Sequence, residues 1–257
     1  MMRKLFLGMA AVLAASTTAL AADLPVARPM PAALPVPVIF SWTGCYIGVQ
    51  GGGNWGRSEH IARSGPNPSM SMTGDFALSG GIAGGTIGCN FQTSNFVIGI
   101  EDDFSWTNKK GSVLNLPPFA TTTTTSTREK WIDTLRLRFG YVPWDTVLVY
   151  GTAGVAFAGT TVTDSGPAFG SASDSKSRTG WTAGAGAEWA AWTGASWALT
   201  FKLEYLHAEF DIKQYFVPPV AILGTTIISR DVKLRDDMVR IGMNLKFNWG
   251  GPIVANY

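Results

Sequence analysis

The residue types that could do chemistry in this 257-residue chain are few and scattered. Gly51-Gly52-Gly53-Asn54-Trp55-Gly56 has the G-x-G-x-x-G spacing that brings a backbone close to a pyrophosphate, and Asp75 stands where a ribose-binding acid would. That chemistry also needs a helix opening after the glycines, and Gly65, Pro66 and Pro68 break any helix there. Glycine in a strand instead marks crowding or sharp coiling. His60 and His207 together could grip a haem iron, although both fall in polar stretches expected at the surface. No H-E-x-x-H, G-x-S-x-G or P-loop string occurs, and no nucleophile has an adjacent base. The expectation is a protein that is not an enzyme, with no catalytic, cofactor or metal site.

The remaining chemistry is a set of charges at regular spacing. Arg136 and Arg138 alternate with Leu135, Leu137 and Phe139; Glu101 and Asp103 follow Ile98 and Ile100 at the same period. Lys202 and Glu204 lie between Phe201, Leu203 and Tyr205, and Glu188 closes a run of Trp181, Ala183, Ala185 and Ala187. Arg240 and Lys246 alternate with Val239, Ile241, Met243, Leu245 and Phe247. Period-two alternation is the mark of strands with two unlike faces. Less regular alternation over 42–57, 76–92 and 146–158 brings the count to eight strands, each about ten residues or more, enough to cross a bilayer obliquely.

The connections alternate in length. Those over 58–74, 107–129, 159–177 and 208–234 are long; those near Thr93–Asn95, Val142–Asp145 and Ala191–Ser196 are short. The second long one contains the low-complexity run Thr121–Thr127 just after Pro117 and Pro118, read as a solvated loop. A Greek-key sandwich has no reason to collect its long loops at one end, whereas an up-and-down transmembrane barrel does. Trp42, Trp106, Trp131, Trp189, Trp197 and Trp249 near strand ends would then form aromatic girdles.

The N-terminus supports export. Arg3 and Lys4 precede an apolar run from Leu5 to Ala14 and an Ala19-Leu20-Ala21 site, so residues 1–22 read as a signal peptide. Residues 23–40, with Pro25, Pro29, Pro31, Pro35 and Pro37, read as an extended periplasmic tether, and 41–257 as the barrel. Composition agrees. Hydrophobic residues make up 46% and charged ones 15%, which excludes disorder, and a net charge of +2 excludes a basic nucleic-acid footprint.

Several of these segments resemble a known family. Trp42-Thr43-Gly44-Cys45-Tyr46-Ile47-Gly48 and Gly84-Gly85-Thr86-Ile87-Gly88-Cys89-Asn90 are similar to the opening hairpin of small outer-membrane β-barrel proteins of rhizobia and related alphaproteobacteria. Thr134–Tyr141, Gly180–Glu188 and the ending Val239–Phe247, then Gly250-Gly251-Pro252, resemble the same family. The resemblance implies an all-β, eight-stranded antiparallel up-and-down barrel of the opacity-protein or OmpA-like, porin-like type. It sits in the outer membrane of a Gram-negative cell, with both termini periplasmic. It also implies contact with outer-membrane lipid and lipopolysaccharide, and assembly machinery that takes hold of the C-terminal strand.

In such a barrel the usual order inverts, with apolar residues facing lipid and charges facing inward. Glu101, Asp103, Glu188 and Glu204 are expected to pair with Arg136, Arg138, Lys202, Arg240 and Lys246 across the lumen, because isolated buried ions are too costly to keep. Cys45 and Cys89 share the parity of the lipid-facing residues and fall near the same ends of the first two strands; they form either a disulfide or two free apolar thiols. The expected function is structural, contributing to envelope integrity and to surface interactions through the loops, with no nucleic-acid partner. A narrow solute channel and a surface receptor for haemin or another extracellular ligand are the alternatives.

Overall fold

The computed structural model describes residues 40–247 apart from Ala195. The segments expected to be a signal peptide (1–22) and a tether (23–40, except Phe40) and Trp249 therefore lie outside the described residues. The chain there is all strand and turn: β1 (Gly44–Ala62), β2 (Ser71–Thr93), β3 (Phe96–Thr107), β4 (Lys110–Leu114), β5 (Thr124–Trp144), β6 (Val147–Gly166), β7 (Gly170–Thr193), β8 (Trp197–Tyr215), β9 (Val220–Ile222), β10 (Thr225–Ile227) and β11 (Arg230–Phe247). Every pairing is antiparallel between neighbours, and the β1–β11 pairing closes the sheet into a ring. The ring has eight staves, since β4 continues the line of β3 between β2 and β5. The small β9–β10 hairpin stands apart from it.

The two faces are inverted relative to a water-soluble sheet. Leu137 and Ile241 are each 66% exposed, whereas Arg136 and Arg240 beside them are 1% exposed. An outward band of Ile47, Val49, Ile98, Ile100, Phe139, Leu203 and Val239 continues around the ring. Water would not leave so many large apolar side chains uncovered, and a contiguous exposed apolar belt of this extent marks a lipid contact. Asp102 and Asp133 interrupt the belt with the parity of its outward residues; Asp102 is exposed and Asp133 half-buried.

Most of what the sequence suggests as long loops is strand. β6 and β7 run on to Gly166 and from Gly170, which reduces the connection expected over 159–177 to three residues. β1 and β2 likewise continue to Ala62 and from Ser71. Outside the hydrocarbon both faces of a strand meet water or polar neighbours, so the ladder persists while the apolar period vanishes. Thr161 Oγ1 with Ser175 Oγ (2.8 Å) and Thr163 Oγ1 with Ser173 Oγ (2.7 Å) are such polar cross-strand pairs. The short turns are two residues after Thr93, two after Trp144, and the stretch between Thr193 and Trp197. Cys45 pairs with Phe247 and with Cys89, so both ends of the described chain lie at the short-turn end.

Trp42 departs from its expected place in the girdle. It is fully buried, donates from Nε1 to the Asp145 carbonyl (3.2 Å), and packs with Val97, Val142, Leu148 and Tyr150 to plug the short-turn end. Further up, Leu78, Ile82, Ile132, Leu206, Leu234 and Met238 fill the lumen. Apolar residues thus serve inside as well as outside.

Glycines set how closely the staves coil. A Cβ on Gly52 would lie on the Val239 carbonyl and 2.9 Å from the Arg240 Cα; one on Gly154 would lie on the Leu135 carbonyl and 2.7 Å from the Arg136 Cα. The glycine motif at 51–56 is accordingly strand, paired on both sides, with no helix after it. Gly154→Val should destabilise the barrel by about 1–3 kcal/mol or more, the usual cost of overpacking, measured by urea unfolding followed through tryptophan fluorescence. Nitroxide labels in lipid vesicles provide a second check. A label at position 241 should collide freely with oxygen, whereas one at 238 should be shielded.

Candidate functional site

The candidate site is the filled lumen, and its side chains come from seven of the eight staves. β3 offers Glu101 and Asp103, β5 Arg136 and Arg138, β7 Glu188, β8 Lys202 and Glu204, and β11 Arg240. β1 and β6 add the tyrosines Tyr46 and Tyr150. Alternation alone aims them inward, because residues two apart share a face.

Arg136 is the hub. Its Nη2 reaches Glu101 Oε1 (2.6 Å) and Asp103 Oδ2 (2.5 Å), and its Nη1 reaches Glu204 Oε1 (2.9 Å). Arg240 bridges Asp103 and Glu204 from the opposite wall. Arg138 donates to Tyr46 Oη (2.6 Å) and Glu188 Oε2 (2.7 Å), with its guanidinium 3.8 Å from the Tyr150 ring centroid. Lys202 Nζ lies 3.1 Å from Glu101 Oε1. Tyr46, Tyr150, Thr134, Thr200 and Asn244 also donate to these carboxylates. These eight charges, four of each sign, are all at most 3% exposed.

Lys246 sits at the edge of the set. Its Nζ donates to the Ser41 carbonyl (2.9 Å) and the Thr43 carbonyl (2.6 Å), within electrostatic reach of Glu188. It anchors the entering chain to the closing strand. Cys45 and Cys89, in register on β1 and β2, are joined by a disulfide.

Sequence reasoning missed a second tier. Lys109 Nζ lies 3.0 Å from Glu129 Oε2 and also contacts Asp236, while Asn54 Nδ2 donates to Glu129 Oε1 (3.0 Å). Beyond it lie Arg230 paired with Asp164, and Arg178. Lys109, Glu129, Asp164 and Arg230 fall in stretches read as loops, Arg178 and Asp236 lie just past the ends of such stretches, and Asn54 lies in the first strand. Glu129 has the wrong parity for an inward residue of β5, because a bulge between Glu129 and Trp131 resets the alternation there. A bulge cannot be read from periodicity.

The two histidines do not converge. His60 is fully buried inside the barrel on β1, with Nε2 2.8 Å from Thr127 Oγ1; it is not in a surface loop. His207 faces outward on β8 against Trp181 and Asp237. A shared iron would need both on one side of the wall. Among the described residues no group of three His, Cys, Asp or Glu is arranged to hold a metal ion.

Removing one partner from the central cluster strands buried charge. Arg240→Met should cost about 3–5 kcal/mol, and pairing it with Asp103→Leu should cost less than the two single changes added together. Urea midpoints of the four proteins in the cycle give the coupling.

Comparison with known proteins places this geometry. Residues 7–247 match the family model described as the outer membrane protein beta-barrel domain. The chain is 33% identical over 241 residues to the 31 kDa outer-membrane immunogenic protein of Brucella melitensis, covering 90% of this chain and 95% of that one. It is 27% identical over 219 residues to the 22 kDa outer membrane protein of Rhizobium leguminosarum, covering 83% and 82%. Among solved structures, the outer membrane protein OprG from Pseudomonas aeruginosa aligns with 82% of this chain and 100% of its own, at 12% identity and a TM-score of 0.44. A closed ring of eight antiparallel staves, greasy outside and charged within, matched by that family model along nearly its whole length, belongs to the outer-membrane β-barrel protein family.

Proposed function

We propose that this outer-membrane protein is structural: a closed, non-conducting barrel that supports the envelope and presents its loop end to the outside. The observation that carries the reading is the bridging of Glu101, Asp103 and Glu204 by Arg136 and Arg240 from different staves across the lumen. An eight-stranded barrel has an interior just wide enough for side chains to fill. A water-filled pore would leave one sign of charge solvated along its wall, whereas these charges are matched and at most 3% exposed.

The proposal places residues 1–22 as a cleaved signal peptide and 23–40 as a tether, so that both ends of the mature chain face the periplasm. The two-residue turns after Thr93 and Trp144 at that end, against the longer connections between β1 and β2 and between β8 and β11 at the other, support this orientation. The Brucella relatives are named immunogenic, which supports loops exposed at the cell surface. Lipid and lipopolysaccharide are the proposed surroundings of the outward band, and the C-terminal strand is the proposed handle for the assembly machinery. The reading assigns no catalysis.

Planar-bilayer recording with the purified protein tests closure. Stable nanosiemens steps would overturn it, and the expected trace is flat or shows only brief small flickers.

A further inference from the structure

The outward-facing cations beyond the apolar belt are unevenly matched around the barrel. On the β1–β11 side each has an acid beside it: Arg57 lies 3.3 Å from Asp75, Lys233 3.0 Å from Glu59, and Arg235 3.3 Å from Glu209. On another side stand Lys110, Arg128 and Lys130, all exposed. Lys110 of β4 and Arg128 of β5 are directly opposed in register, and Lys130 lies two residues along β5 at the bulge. Among the described residues none of the three has an ion pair or a side-chain hydrogen bond. Like charges directly opposite on a ladder destabilise it, a cost that a bound anion would remove.

The position of this trio selects the kind of anion. Trp106 and Trp131, opposed in register, stand at the top of the apolar belt, and the three cations follow them toward the loop end. Thr161 and Ser175 continue the row of Lys110 and Arg128 across β6 and β7. The next row outward reads Ser112, Ser126, Thr163 and Ser173. Neighbours in a row lie about 4.8 Å apart and the rows about 6.8 Å apart. No aspartate or glutamate shares this outward parity on β4 to β7 beyond Trp131; Asp164 and Asp174 have the inner one. Uncommitted cations at the edge of the hydrocarbon, with hydroxyls above and no acid among them, match a headgroup that is anionic at its base and sugar-like beyond.

We propose that the outward face of β4 to β7 binds the phosphorylated saccharide head of a glycolipid in the outer leaflet of its own membrane. Phosphate lies against Lys110, Arg128 and Lys130, and sugar hydroxyls lie against the serine and threonine rows. Arginine takes phosphate through its planar fork and lysine as a point charge. The patch is on the side wall, not at the mouth, so its occupant stands alongside the barrel. This binding narrows the lipopolysaccharide surroundings proposed above to one face, and it rests on the loop end facing outward.

Native mass spectrometry of the detergent-folded protein tests the site with diphosphoryl lipid A, the same lipid A dephosphorylated, and phosphatidylglycerol. Diphosphoryl lipid A should be retained about tenfold or more over each of the others. Lys110→Gln, Arg128→Gln and Lys130→Gln combined should weaken it by about tenfold or more, whereas Arg57→Gln, from the matched side, should leave it unchanged. Thr163→Val with Ser173→Val should weaken lipid A carrying its core oligosaccharide more than lipid A alone, and keeps the site testable should the triple variant not fold. Equal retention of either control lipid, affinity unchanged in the triple variant, an equal loss in Arg57→Gln, or no effect of the hydroxyl pair would overturn the site. Leu223→Cys separates this from the orientation. Leu223 is 83% exposed on the β9–β10 hairpin, and the new thiol would be unpaired because Cys45 and Cys89 are bridged. Labelling of intact cells by a membrane-impermeant maleimide is expected. Its absence would overturn the orientation and the occupant with it, whereas labelled cells with no lipid selectivity would overturn the site alone.

Discussion

The central constraint is that a charge taken out of water must be matched by charge brought to it from elsewhere in the fold. An unpaired buried ion costs several kcal/mol, and no single stave carries both an adequate acid and its base. Glu101 and Asp103 leave β3 and find their partners on β5, β8 and β11. Closing the ring is therefore what makes the charges tolerable, and the charges in turn hold the ring in one register. A one-residue slip of β5 would turn Arg136 and Arg138 outward, where an arginine at the membrane midplane costs about 2–4 kcal/mol. The network and the register stabilise each other.

That same constraint explains how much could be read from sequence. Inside the bilayer one face must be apolar and the other polar, so β3, β5, β8 and β11 announce themselves by period, and residues such as Arg136 and Glu204 are assigned by parity alone. Above the bilayer the requirement lapses. β6 and β7 continue as a paired ladder from Thr160 to Ser175, yet threonine, serine and aspartate on both faces look like loop. Lys109, Glu129, Arg178 and Arg230 went unrecognised for that reason, and the bulge at Glu129 concealed its direction as well. Trp42 illustrates a different limit. A tryptophan at a strand end fits a girdle or a plug equally well, and only the presence of Val97, Val142 and Leu148 around it decides.

Asp102 and Asp133 show where parity and chemistry disagree. Both point to the lipid side, one step inside the aromatic cluster of Phe104, Trp106 and Trp131. Acids cost less than arginine or lysine on a lipid face, and less again near the interface. The belt tolerates them because of their depth.

The charges of the lumen are ordered along its length. Nearest the short turns, the central cluster has four acids and four bases. The next layer has Glu129 and Asp236 around the one base Lys109, an excess of acid. The outermost has Arg230 paired with Asp164, and Arg178 bonded to Tyr215 and to the Val232 and Asp211 carbonyls. With Lys246 included, the buried charges among the described residues are eight bases against seven acids, so nearly every ion is met from another part of the wall and no stripe of one sign runs the length of the lumen. A wall without such a stripe offers a permeating ion of either sign as much repulsion as attraction along its path.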